Sequence, residues 1–159
     1  MSNILIFGNS GSGKSTLAKS ICKSHGFAHL DLDTLAWEAT CPPQRKNIQE
    51  SEVEILNFIA VNQSWVIEGC YTDLLTLVEP YSNEIIFMNL SIDMCIANAK
   101  LRPWEPHKYK SKKKQDENLP MLINWIRCYT KRYDTFSLTA HQHFYNSYLG
   151  KKRIIESNV

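Results

Sequence analysis

Near its amino end the chain reads ILIFGNSGSGKST, from Ile4 to Thr16. An apolar run, Asn3–Phe7, passes at once into glycines, serines and one lysine. Leu17, Ala18, Ile21 and Cys22 then recur at helical spacing until Gly26. A short apolar run bounded by glycine reads as a buried strand, and the later spacing is one face of a helix. Glycine loses more conformational freedom on folding than any other residue, so a loop this rich in it is costly to order. A ligand that offsets the cost is the natural explanation.

The rest of the chain continues the alternation. Strands are expected at Phe27–Leu32, Trp65–Glu68 and Glu84–Leu90, with a last short one at Lys152–Glu156. Helices are expected over Asn47–Val61, over Thr72–Val78 before Pro80, and from a Ser91 cap to about Leu101. Pro120 suits the start of a further helix carrying Leu122, Ile126, Tyr129 and Tyr133, and Ser137–Leu149 reads as the final one. The strands are continuous apolar runs, as in a parallel sheet covered on both faces. In such sheets ligands bind beyond the carboxyl ends of the strands. Gly8, Asp33 and Gly69 are expected together on that edge.

Gly8-x-x-x-x-Gly13-Lys14-Ser15 matches a phosphate-binding loop in its proper place between strand and helix. Gly8, Asn9, Ser10, Gly11, Ser12 and Gly13 let successive N–H groups converge on a phosphate, aided by the helix N-terminus. Lys14 is placed for the β- and γ-phosphates, the Ser15 hydroxyl for Mg²⁺, and Thr16 near the α-phosphate. ATP and Mg²⁺ are therefore the expected cofactors.

Composition excludes several alternatives. The chain of 159 residues suits one domain, residues 1–159, and the formal net charge of +2 exerts no global pull on nucleic acid or membrane. Seven of the 18 basic residues lie in Lys100–Lys114. The five cysteines, Cys22, Cys41, Cys70, Cys95 and Cys128, show no metal-ligand spacing, as expected of a reduced, cytoplasmic protein. No apolar run reaches the roughly 18 residues of a membrane span.

The layout resembles the small-molecule kinases of the adenylate kinase and shikimate kinase group. HLDLDTLAW (His29–Trp37), WVIEGCY (Trp65–Tyr71) and IIFMNL (Ile85–Leu90) look more narrowly like the bacterial topology-modulation, or adenylate kinase-related, proteins. The resemblance implies an α/β, three-layer P-loop NTPase fold: a parallel sheet of about five strands, helices on both faces, and a mobile lid at about 102–117. It implies Asp31 near the metal and Asp33 on the acceptor, where a carboxylate orients a hydroxyl or accepts its proton. Glu68 is either an outer Mg²⁺ group or a structural acid. Gly69 lets substrate approach the backbone. Trp37 and Tyr71 are either walls of an acceptor pocket or packing residues. Arg45 either binds an anionic acceptor or is a solvated surface arginine.

By the same resemblance Arg102, in Arg102-Pro103, stacks on adenine. His107 and Lys108 are lid contacts to the triphosphate, and Arg127 is a candidate phosphate clamp. His141 and His143 serve packing or solvent. The function expected is γ-phosphoryl transfer from Mg-ATP to a small hydroxylated acceptor. Few arginines mark a site for an acceptor phosphate, which disfavours a nucleoside monophosphate kinase. Glu68-Gly69-Cys70 replaces the Gly-Gly-Gly of true shikimate kinases. A nucleotide-dependent regulator or DNA-associated ATPase is the rival class.

Overall fold

Side chains of the first strand, β1 (Asn3–Gly8), alternate between two apolar environments. Leu5 and Phe7 join one core, and Ile4 and Ile6 join another. A strand buried on both faces needs cover on both faces, and the helices supply it. The computed structural model describes residues 1–40 and 42–158, so Cys41 lies outside the described residues.

The sheet contains β2 (Ala28–Asp31), β3 (Trp65–Gly69), β1, β4 (Glu84–Met88) and β5 (Lys151–Ile155), in that spatial order. All its pairings are parallel. On one face pack α2 (Ile48–Val61), α3 (Thr72–Val78) and α6 (Leu138–Ser147), around Trp65, Ile67, Leu74, Leu75 and Phe144. Phe7 and Phe87 stack there, with ring centroids 4.9 Å apart. On the other face lie α1 (Lys14–His25), α4 (Ile92–Leu101) and α5 (Lys112–Arg127), around Ala18, Val66, Ile86, Cys95 and Ile126. Each fully buried large apolar side chain contributes roughly 1.5–3 kcal/mol. This is the three-layer α/β architecture expected from the sequence.

Strand order reverses beside β1, which leaves a crevice at the carboxyl ends of the strands. Register sets what meets there. Phe7 pairs with Gly69, Gly8 with Met88, and Asp31 with Glu68.

The segment after α4 departs from expectation. Pro120 lies inside α5, which begins at Lys112. Ser111 caps it by accepting from the Lys114 N–H. An interior proline forgoes a helical hydrogen bond, at about 3 kcal/mol. Here Leu119, Leu122, Ile123 and Ile126 hold the helix against the second core, and packing outweighs propensity. The lysines 112–114 are thus helical, and the non-helical stretch of the expected lid spans 102–111. Tyr133 is not on that helix and is exposed.

Candidate active site

The loop after β1 takes its shape from backbone that only glycine accommodates. Gly11 has φ +79°, and a Cβ there would stand 2.4 Å from the Cys95 carbonyl oxygen. Gly13 has φ +90° and is the residue before α1. The first turn of α1 has no acid and no capping side chain. Its amides are therefore left for an anion, at the positive end of the helix dipole. Lys14 Nζ donates to the Asn9 carbonyl at 2.7 Å. Ser12 Oγ is buried and has no partner among the described residues, so the loop holds hydrogen-bonding capacity that they do not use. These features fit a triphosphate.

Ser15 Oγ donates to Glu68 Oε2 at 2.7 Å, and His29 Nε2 donates to the same oxygen at 3.0 Å. Glu68 is only 2% exposed. The Ser15 hydroxyl and this carboxylate fit a magnesium shell completed by phosphate and water. Among the described residues no group of three or more His, Cys, Asp and Glu side chains forms a metal cage by itself.

Asp33 follows β2 in a single 3-10 turn, Leu32–Thr34, capped by Asp31 Oδ1, which accepts from the Asp33 N–H at 2.9 Å. Lys108 Nζ donates to Asp33 Oδ2 at 2.7 Å. Tyr71 donates its hydroxyl to Asp33 Oδ1, and Trp37 Nε1 donates to that hydroxyl at 2.8 Å. Asp31 and Glu105 carboxylates also approach the Lys108 ammonium, at 3.6 and 3.5 Å.

Burial works against charge on Asp33, but Lys108, the Tyr71 hydroxyl and Lys14 outweigh it and hold its pKa below the usual value. Asp31 is pushed the other way, by burial first and then by Glu68 and Asp33. Lys108 is held charged: burial opposes the ammonium, and Asp33 and Asp31 overcome that. The Cys70 thiol is pushed up to about 12, mainly by burial and then by Asp33, and is no nucleophile.

A cleft of about 760 Å³ joins the two ends. It is lined by Ser10, Gly11, Gly13, Lys14, Ser15 and Thr16 on the loop side and by Asp33, Glu68, Gly69, Arg102 and Lys108 opposite. Gly8, Asn9 and Ser12 belong to the same loop but do not line the cleft: Asn9 and Ser12 are buried, and Asn9 Nδ2 donates to the Ile126 carbonyl at 3.3 Å. Asp31 stands behind Lys108.

Several candidates lie elsewhere. Trp37 and Tyr71 do not line the cleft; Tyr71 stands one hydrogen bond behind Asp33 and Trp37 two. Arg45 does not face the cleft as an anion site. It pairs with Asp73 at 3.1 Å and lies over the Tyr71 ring at 4.9 Å. Arg127 is exposed at the end of α5 and does not line the cleft. Arg102 lines it while paired with Glu105 at 3.2 Å. His141 is buried, accepting from the Tyr129 hydroxyl and donating to the Cys70 carbonyl. His29, Asn98, Glu105 and Asn158 are site residues that the motifs did not reveal. Only His29 had a local signal, two residues before Asp31 and so on the same face of β2.

The sheet and this loop together make the three-layer α/β fold of P-loop proteins. No family model matches the chain. A deoxyadenosine kinase from M. mycoides with bound dATP superimposes with a TM-score of 0.52 at 14% identity, over 99% of this chain and 92% of that one. A shikimate kinase from Bacteroides thetaiotaomicron gives 0.50 at 15% identity, over 91% and 97%. At such identities the likeness is one of fold. An uncharacterized Bacillus subtilis protein, YqaC, is 25% identical over 103 residues, 65% of this chain. The match spans 57% of that protein's length. Among the described residues no helix is long and apolar enough to cross a membrane.

Proposed function

We propose that this protein is a phosphotransferase that moves the γ-phosphoryl group of Mg-ATP to a hydroxyl of a small acceptor. One observation carries the reading: Lys14 and Ser15 line the same cleft as Asp33, and Lys14 is near enough to help hold Asp33 ionised. Two proteins of the same fold, named as kinases of deoxyadenosine and of shikimate, support it. The motif resemblance supports kinship with the bacterial topology-modulation proteins.

Magnesium would supply charge neutralisation at the phosphates. Ser15 would hold it, with Glu68 and Asp31 behind. Lys14 leaves the Asn9 carbonyl for the phosphates and stabilises negative charge during transfer. Asp33 orients the acceptor hydroxyl along the line of attack, a role that suits a carboxylate held ionised and hydrogen-bonded on both oxygens. Lys108 anchors the 102–111 stretch over the cleft and brings a second ammonium to the transferring group. Arg102 offers its planar cation to the base.

The acceptor end favours a hydroxylated molecule over a nucleoside monophosphate. Of the cations there, Lys108 is paired with Asp33, and Arg45 is paired with Asp73. An acceptor phosphate would find no cluster of arginines. The DNA-associated reading draws little support, since Lys112 and Lys114 are paired with Asp116 and Glu117 on their own helix.

The test is a coupled ADP-release screen over hydroxylated metabolites, nucleosides and nucleotides. An acceptor should raise ADP release far above background hydrolysis. Asp33→Asn should then lose about 100-fold or more of acceptor-dependent turnover and keep its affinity for Mg-ATP. Normal turnover in that variant would remove Asp33 from the mechanism. Strongly salt-dependent DNA binding without acceptor stimulation would favour the regulator.

A further inference from the structure

We propose that Asn98 and Asn158 form a two-amide brace that holds the phosphate loop in its binding shape and so acts on the phosphate end of a nucleotide, not on its base. The inference deepens the phosphotransferase reading and rests on it.

Asn98, on α4, donates from Nδ2 to the Gly11 carbonyl at 2.8 Å and to Asn158 Oδ1 at 2.7 Å. Asn158, beyond β5, donates from Nδ2 to the Ser12 carbonyl at 3.2 Å. A backbone carbonyl only accepts, so these bonds fix which way both amides face. The two carbonyls belong to consecutive peptides of the loop. In a trans peptide the C=O and the next N–H point in opposite directions.

Holding the Gly11 carbonyl towards Asn98 turns the Ser12 N–H inward, where it donates to the Asn9 carbonyl at 3.2 Å and closes the turn. Holding the Ser12 carbonyl towards Asn158 turns the Gly13 N–H to the other side, away from the brace. Asn158 also packs flush on Gly13: a Cβ there would stand 2.6 Å from its Nδ2. The loop therefore meets its ligand with its peptides already turned. Preorganised donors bind more tightly because less order is lost on binding. Asn98 and Asn158 are positioning residues that act through the loop.

Both side chains also line the cleft beside Arg102 and Ser157, where a base would lie. The experiment must separate that role. Calorimetry in magnesium buffer compares Asn98→Leu, Asn158→Ala and the double variant with the parent. The probes are ATP, inorganic tripolyphosphate, which has no base, and adenosine, which has no phosphate and is read as a competitor of ATP.

Each single variant should weaken ATP and tripolyphosphate by the same factor, about 5–10-fold, and leave adenosine unchanged. The double variant should lose less than the product of the two, because the amides share a bond. Loss for ATP and adenosine with tripolyphosphate unchanged overturns the proposal in favour of base contact. No loss for any probe overturns it outright. If Asn98→Leu folds poorly, the exposed Asn158 carries the test alone. A parent protein that binds neither ATP nor tripolyphosphate refutes the phosphotransferase reading itself. A parent that binds both, with unaltered variants, refutes only the brace.

Discussion

The Lys108 ammonium donates to Asp33 Oδ2 at 2.7 Å, joining the stretch after α4 to the end of β2. This ion pair keeps Asp33 charged despite burial, and it ties the 102–111 stretch to the carboxylate that is proposed to orient the acceptor.

Lys108→Met should therefore change chemistry more than nucleotide binding. With the ammonium present, the Asp33 pKa lies below the ordinary carboxylate value of about 3.9. Its stabilising contribution is complete above that value and is lost as pH falls through the lower folded pKa. Without Lys108, the acid limb of the kcat/KM profile should move to higher pH and turnover should fall about 100-fold. An unmoved acid limb in the variant would show that Lys108 does not hold Asp33 ionised.

Gly11→Ala should damage the loop twice. The residue must keep φ +79°, and its methyl group would meet the Cys95 carbonyl at 2.4 Å. The strain costs about 1–3 kcal/mol, a fall of several degrees in thermal midpoint, and Mg-ATP binding should be lost. Gly26 is the control. Its φ is +71°, but nothing lies within 4 Å of its Cβ position. Gly26→Ala should lower the midpoint slightly and bind Mg-ATP normally, by differential scanning fluorimetry and calorimetry.

His141 should make stability depend on pH. Burial lowers its pKa from 6.5 to about 4; the Cys70 carbonyl opposes this and Lys14 adds to it. Between those values the unfolded chain takes up a proton that the folded chain refuses. The contribution is fully present above the unfolded value and declines as pH falls. At about 1.36 kcal/mol per unit, the loss should be about 2 kcal/mol at pH 5. Urea denaturation at pH 7 and pH 5 measures it. His141→Gln should be less stable at pH 7 and lose less than the parent on acidification.

Arg45→Ala should act through packing. Its guanidinium pairs with Asp73 and lies over Tyr71, 4.9 Å from the ring centroid. Removing it should cost about 1–2 kcal/mol and raise KM for neutral and anionic acceptors alike, through the loosened Tyr71. A rise confined to anionic acceptors, with an unchanged melting point, would restore Arg45 as an anion site.

What could be read from the residues was local. The central strands β1, β3 and β4 were legible because their apolar runs suit a sheet buried on both faces; the edge strand β5, KKRII, is mostly exposed and carries no such run. The loop was legible because its glycines, Lys14 and Ser15 are contiguous. Asp33 was legible because it follows a strand at the ligand-binding edge. Pro120 misled because an intrinsic preference says nothing about the apolar face of Leu119–Ile126, whose burial holds α5 together.

The chain by itself determined the architecture, the glycine-rich loop after β1 and the sheet edge on which Gly8, Asp33 and Gly69 gather, since these depend on residues that are neighbours in sequence. Tertiary structure alone decided which charges remain free and which residues stand behind the loop. Asp33 meets Lys108 across 75 positions, Arg45 meets Asp73 across 28, and Gly11 meets Asn98 across 87. Strand register and helix packing set those distances. A charge is spent or available according to what lies within hydrogen-bond reach, a property that no local pattern carries.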